Sequence, residues 1–471
     1  MEVSMEKIDS FKKTRTYISV LLGLFMVIGE GALAGWAPPA LDALSKADSP
    51  LGRPLSKSEQ GFLASISTPG SVFGALFATV LSQRFGKKPI LLFQGIPSLI
   101  FFLIMMFGKS LLLFDIARFL SGISTGGIYT ILPLYISELI EAENRGKYCA
   151  GFGVATNIGM LLSCVLGYSL PFVWFHLILS VIPITFLILF PLLALESPYY
   201  IIQTNPVEAE RYLREIRGKE NVSEEFQNMK ESFMKASQNS SWNILETKAM
   251  RKAFILALLI MTLIITCGTS VFRNYMGIIF DEADFSWSTQ TEMIIVSVIQ
   301  LIVSGFAIQV IRRYGRKPLL TISFGGCGIS LIPLGTYFFL EDNEVNVTAF
   351  GWVPLVSLVS FVIFTNIAAV PLGKPVLGEF IPLKTKNITM AISIIYGALG
   401  LFLTSLYFPD AVDIFGRGVC FWTFAGFSIC GSVFIWFFMV ETKGKTLEEI
   451  QDEMNGIKRS NFNENKSSNL E

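Results

Sequence analysis

Arg84-Phe85-Gly86-Lys87-Lys88-Pro89 recurs in the second part of the chain as Arg313-Tyr314-Gly315-Arg316-Lys317-Pro318. Each copy joins two long apolar runs. A soluble protein has little use for a basic turn set between stretches that water cannot solvate. A bilayer does, because lipid takes the apolar runs and the aqueous face takes the charges. That the turn occurs twice implies two homologous membrane halves.

Composition points the same way. Hydrophobic residues make up 52% of the chain and charged residues 16%, against roughly 25% charged in ordinary soluble domains. Lys plus Arg and Asp plus Glu are equal at 37 each, so no global charge steers the protein toward nucleic acid. The six cysteines (Cys149, Cys164, Cys267, Cys327, Cys420 and Cys430) lie in or beside apolar runs without a close pair. They read as buried free thiols rather than a disulfide framework or metal site. The one histidine, His176, reads as a satisfied residue of the membrane core. No cofactor or metal is expected, and no nucleophile–base set or phosphate loop points to an enzyme. The first apolar run is too long for a signal peptide and lacks a cleavage site, so it reads as the first span.

About twelve runs approach the roughly 20 residues needed to cross a bilayer. They predict an all-α membrane protein of two six-helix halves. The expected divisions are an N-terminal segment 1–15, a first bundle 16–195, a helical linker 196–251, a second bundle 252–440 and a tail 441–471. Arg84, Lys87 and Lys88, Arg145 and Lys147, Arg312, Arg313, Arg316 and Lys317, and Lys384 and Lys386 fall on alternate, same-side loops. Positive charge favours the cytosol, so both termini and the linker are expected there. Lys46, Arg53 and Lys57 oppose this bias from the first outer loop. Asn346 is the one glycosylation sequon expected outside; Asn221, Asn239, Asn387 and Asn465 fall inside.

The repeat extends beyond the basic turns. Glu138 and Arg145 stand seven apart, as do Glu379 and Lys386, and Glu196 and Glu441 follow the sixth and twelfth runs. Arg84, Gly86, Lys87, Glu138, Arg145, Arg313, Gly315, Arg316, Glu379 and Lys386 thus make a candidate inner gate. The expectation is that ion pairs between the halves hold the inner side shut; the alternative is solvated charges that only enforce topology. Gly70 and Gly74, and Gly122 and Gly126, have the spacing that lets helices approach closely in lipid.

In order along the chain, the turn Arg84–Lys88, Arg118-Phe119-Leu120-Ser121-Gly122, Pro133-Leu134-Tyr135-Ile136-Ser137-Glu138, Glu196-Ser197-Pro198, the turn Arg313–Lys317, Glu379-Phe380-Ile381-Pro382 and Glu441-Thr442-Lys443-Gly444-Lys445-Thr446 resemble the sugar porters of the major facilitator superfamily. The closest likeness is to the insect trehalose-transporter-like branch. The resemblance implies the major facilitator fold and a sugar held near the bilayer midplane by amide and aromatic side chains. This sequence departs from that pattern. Asn157-Ile158 stands for a Gln-Leu pair, Ile264-Ile265 for a Gln-Gln pair, Ser270 for an Asn, Asn274-Tyr275 for paired Tyr, Gln300 for an Asn and Asn366 for a Glu. Pro371-Leu372-Gly373-Lys374 stands for a Pro-X-Pro-Trp motif, and Gly397-Ala398 for an Asn-Trp pair. The candidate substrate residues are Asn157, Ser270, Asn274, Gln300, Asn366 and Lys374, the last of which would favour an anionic solute. The amides could equally be glue between helices.

Glu30 and Arg118 are charges placed deep in spans, costly unless paired or wetted. In proton-coupled members of the family that the chain resembles, a first-span acid pairs with the fourth-span Arg. Glu30 and Arg118 are accordingly expected to pair, either as a proton-coupling switch or as a permanent structural bridge. The function expected is transport of a small polar solute, foremost a sugar such as a hexose or trehalose, across the plasma membrane by facilitated diffusion. The alternatives are a proton symporter, a carrier of a non-sugar or anionic solute, and a non-transporting sensor. A monomer suffices, with the lipid bilayer and the solute as partners.

Overall fold

The structure is a computed structural model. It describes residues 2–47, 49–140, 142–217, 222–223, 226–227, 248–282, 288–373, 376–381, 385–443, 445, 449–450 and 453–454. Among these residues twelve helical stretches are long and apolar enough to cross a membrane: Thr14–Ser45, Lys57–Phe85, Lys87–Phe107, Leu111–Leu139, Gly151–Ser169 and Phe172–Leu193, then Met250–Phe280, Thr289–Arg313, Arg316–Asp342, Val353–Phe380, Ile388–Phe415 and Arg417–Phe438. The protein is all-α, and an even number of spans brings both ends to one face, called here the terminal face. The opposite one is the far face.

Several spans are broken. Span 1 is α1 (Glu2–Ala34) followed by α2 (Ala37–Ser45). Pro38 and Pro39 supply no N–H to continue the first helix, but fit the first turn of the second. Span 2 is α3 (Lys57–Ser65) and α4 (Ser67–Phe85). Ser56 starts α3 with a capping box, its side chain accepting from Glu59 N while the Glu59 carboxylate accepts from Ser56 N. Spans 3 to 6 are α5 (Lys87–Phe107), α6 (Leu111–Leu139), α7 (Ala142–Ser169) and α8 (Phe172–Leu193).

The linker contributes α9 (Pro198–Thr204) and α10 (Pro206–Arg217). These pack back on the first half: Tyr212 donates to Glu196 O at 2.8 Å, and Arg217 donates to Leu139 O. Burial beside Glu196 pushes the Tyr212 phenol well above its usual range.

The second half opens with α11 (Lys248–Thr266) and α12 (Thr269–Glu282), parted at Gly268, whose φ is +80°. Only glycine adopts that backbone freely. Spans 8 and 9 are α13 (Thr289–Arg313) and α14 (Arg316–Asp342). Span 10 is α15 (Val353–Phe364), a π-helical widening over Thr365–Ala369, α16 (Val370–Gly373) and α17 (Leu377–Phe380). Ser323 of α14 steadies the widening by donating to Phe364 O and accepting from Ala369 N at 2.9 Å. Spans 11 and 12 are α18 (Lys386–Phe415) and α19 (Arg417–Phe438).

Small residues set the contacts within each half. A Cβ on Gly70 or Gly74 would strike the α6 backbone, and one on Gly122 or Gly126 would strike the α4 backbone. Gly335 and Gly418 approach each other in the same way across α14 and α19. Close backbone contact is how helices associate where lipid removes the hydrophobic drive.

The halves meet at the far face. Helix α2 packs on α12 and α3 on α18, the Gly61 backbone lies against Leu406 O, and Gly277 lies against Tyr168 and Pro38. The ion pair Lys57–Asp413, 2.8 Å, bridges the two halves there. The other basic residues of the first far-face loop are also matched locally, Lys46 by Asp42 and Arg53 by Glu59. Cys430 departs from the expected buried thiols and is exposed on the bundle surface.

Candidate central cavity and charged turns

The two basic turns are built alike. At the start of α5, Glu196 Oε1 accepts from Lys87 N at 3.1 Å and Lys88 N at 3.2 Å. At the start of α14, Glu441 accepts from Arg316 N at 2.9 Å and Lys317 N at 3.1 Å. Each carboxylate therefore sits on a helix N-terminus, where unpaired N–H groups favour negative charge. The repeated glycine follows from this. A side chain on Gly86 or Gly315 would occupy the space of the Glu196 or Glu441 carboxylate, and Gly86 also has φ +90°.

The two carboxylates differ in balance. Burial pushes Glu196 above its ordinary range, against its backbone donors. Glu441 is also raised by burial, but donors from Lys443, Arg316, Lys317 and Thr442 outweigh this and hold it below that range.

The second pair of acids completes each turn. Glu138 binds Lys87 Nζ at 2.5 Å and accepts from the Ser197 hydroxyl. Glu379 binds Arg316 Nε at 3.3 Å and accepts from the Thr442 hydroxyl. These contacts lie within a half, whereas the sequence led us to expect pairs between halves. The reason is geometric: with the far face closed, each acid lies beside the basic turn of its own bundle. The side chains of Arg145 and Lys386, and all of Lys384, lie outside the described residues. Arg84 and Arg313 flank the turns through their backbones, with Arg84 O accepting from Tyr200 and Arg313 O from Lys443.

Glu30 and Arg118 do not pair, contrary to expectation. Glu30 is fully buried; it accepts from Ser124 Oγ at 2.5 Å and Thr125 Oγ1 at 2.7 Å. Those partners stand six and seven residues along α6 from Arg118, which at 1.5 Å per residue is roughly 10 Å. Arg118 instead donates to Leu33 O, Leu63 O, Ala64 O and Ser67 Oγ at 3.1–3.4 Å. Its guanidinium lies over the Trp36 ring, 4.8 Å from the centroid. The carbonyls come from the broken ends of α1 and α3, where helix dipoles are negative. Trp36 in turn donates to His176 Nε2 at 2.8 Å, so His176 is a core residue with both ring nitrogens engaged.

The described candidate substrate residues occupy three helices and the π segment. Asn157 on α7 donates to Gly153 O, and Asn366 in the π segment to Val362 O, each on its own helix. Gln300 on α13 reaches across to Met160 Sδ at 3.6 Å, one turn from Asn157, so both line the seam between the halves. Asn274 donates to Ser405 Oγ and Tyr275 to Ser405 O, stitching α12 to α18. The Ser270 hydroxyl is buried with no partner among the described residues. Lys374 lies outside the described residues. Ile264 and Ile265, which replace amides of the family pattern, pack beside Gly373 and Gly400.

Sequence reasoning overlooked Arg273. It is exposed although every described neighbour from Ser270 to Gly277 is buried. Gly277, one turn further on the same face, meets the first half. Arg273 lies close enough to Arg118 and Tyr129 to interact electrostatically with both. The signal was present as a charged residue inside the run Ser270–Phe280.

Two six-helix halves, broken spans lining a polar seam and paired basic turns define a transporter of the major facilitator fold. The chain belongs to the sugar (and other) transporter family, whose model matches residues 15–454. It is similar to the facilitated trehalose transporter Tret1 of Polypedilum vanderplanki, 28% identical over 93% of this chain and 87% of that protein. It is also similar to Tret1 of Bombyx mori, 27% identical over 89% and 83%. Among solved structures, the inward-open xylose transporter XylE of E. coli superposes with a TM-score of 0.75 at 22% identity, covering 94% of this chain and all of that one.

Proposed function

We propose that the protein carries a sugar across the plasma membrane by alternating access, as a facilitator, with both termini in the cytosol. Membership of the family over nearly the whole chain carries this reading. The relatives named as facilitated trehalose transporters support it, as does the seam between the halves lined by Asn157 and Gln300. Facilitated diffusion is favoured because Arg118 is occupied by backbone carbonyls and does not face Glu30. Protein reconstituted in liposomes should equilibrate labelled trehalose or hexose without accumulating it, at a rate unaffected by a protonophore. Accumulation driven by a proton gradient would replace this with symport. Binding without flux would replace it with sensing.

A further inference from the structure

We propose that the solute carries a carboxylate, held by Arg273 and the first turn of α12. Three observations converge on this. First, Arg273 makes no ion pair or hydrogen bond among the described residues and is open to water. Lipid exposure would leave an apolar stripe one turn either way, yet Ser270, Met276 and Gly277 are buried. Helix α12 is instead enclosed by α2, α11, α13 and α18, so the water that Arg273 meets is that of the cavity between the halves. A charge in lipid would cost roughly 2.5–3.5 kcal/mol.

Second, α12 is a 14-residue half-helix that begins inside the membrane after the Gly268 break. Its first-turn N–H groups and the positive end of its dipole lie at membrane depth, an arrangement suited to an anion. Helical side chains lean toward the helix N-terminus, which brings the Arg273 guanidinium toward that turn.

Third, Ser270 lies in that first turn, three residues before Arg273 and on the same face. Ser270 is 3% exposed, and its hydroxyl is buried and unpartnered among the described residues. A donor left idle at a helix N-terminus beside a free guanidinium fits a missing acceptor.

The charge balance selects a single negative charge. Among the described residues Arg118 is committed to backbone carbonyls, which leaves Arg273 as the cation there without a partner. A carboxylate matches the fork of one guanidinium; a phosphate would want more donors. The loss of two hydroxyl-reading amides at Ile264 and Ile265 fits a ligand recognised more by its acid group. The substrate class is therefore a sugar acid, such as a hexuronate. This rests on the transporter reading given above.

The test is exchange in proteoliposomes with glucuronate, its neutral methyl ester, glucose and glucose 6-phosphate. Glucuronate should compete at least about tenfold better than the ester or glucose, the scale of one charged hydrogen-bonded contact. Arg273→Gln should abolish that preference, bringing competition by glucuronate down to that of the ester. The ester comparison needs no variant, so it decides even if Arg273→Gln fails to fold. Movement of glucose but not glucuronate would overturn the inference and leave the transporter reading standing. Preference for the phosphate would overturn the carboxylate assignment. Equal slowing of every solute by Arg273→Gln would make Arg273 a gating residue and overturn it too. No movement of any of the four would sink both readings.

Discussion

At the scale of single residues, the turn glycines and the carboxylates that cover them should fail together. Gly86→Ala adds a side chain at φ +90° and drives it into Glu196. Strain of this kind costs of order 1–3 kcal/mol, so the melting temperature in detergent should fall, and an unchanged value would refute the contact. The two caps should also respond oppositely to acid. Glu441 has a depressed pKa, so its stabilisation is present above the ordinary carboxylate range and is lost as pH falls through its lowered value. Glu196 has a raised pKa, so its contribution is fully present below the ordinary range and is lost as pH rises through the folded value. At neutral pH, Glu441→Gln should therefore cost more melting temperature than Glu196→Gln. That gap should close on acidification; a gap that widens would contradict the assignment. Among the candidate substrate residues, Asn157→Leu, Gln300→Leu and Asn366→Leu should each raise the apparent KM several-fold with folding intact. Lost folding with unchanged KM would make these residues helix glue.

Among the helical elements, the pair Lys87–Glu138 is the better shielded, each side chain being 16% exposed against 24% and 32% for Arg316–Glu379. Glu138→Ala should consequently lower the melting temperature more than Glu379→Ala, and the reverse order would mean that the two turns are not equivalent in packing. How much of this was legible in the sequence depends on distance along the chain. Hydropathy marked the spans and duplication marked the halves, since both are local signals repeated many times. The basic turns and their glycines were legible for the same reason. The partners of Glu138 and Glu379 were not. Spacing seven residues apart on one chain drew attention to Arg145 and Lys386, whereas the described contacts of each acid come from the adjoining turn. The Glu30–Arg118 mismatch was equally hidden, because it depends on where α1 and α3 break. Carbonyls freed by those breaks are acceptors that no residue type advertises. Arg273 was visible as a charge inside an apolar run but was overlooked.

For the whole molecule, orientation is the first quantity to fix. Asn346 is exposed on the far-face loop between α14 and α15. With the termini in the cytosol, protein made in eukaryotic cells should carry glycosidase-sensitive sugar at Asn346 and none at Asn239; the opposite pattern would invert the molecule. The far-face closure can be tested through Lys57–Asp413. Both side chains are more than half exposed, and exposed pairs contribute only about 0–1 kcal/mol. Asp413→Asn should thus raise labelling of a cysteine placed at Gly61 modestly, by about fivefold at most, and no change would show that helix packing alone closes this face. Arg118 adds a mechanical asymmetry. By gripping carbonyls from both Leu33 and Leu63, it rivets the broken end of α1 and the short helix α3 to the fourth span, making α1, α3 and α6 one stiff plate. Helix α12, opposite, turns at the glycine joint Gly268 and is stitched to α18, not to that plate, through Asn274 and Tyr275. When the far side opens, the plate should stay rigid and α12 should swing, carrying Arg273 with it, so the group that holds the solute would ride on the moving door rather than on the frame.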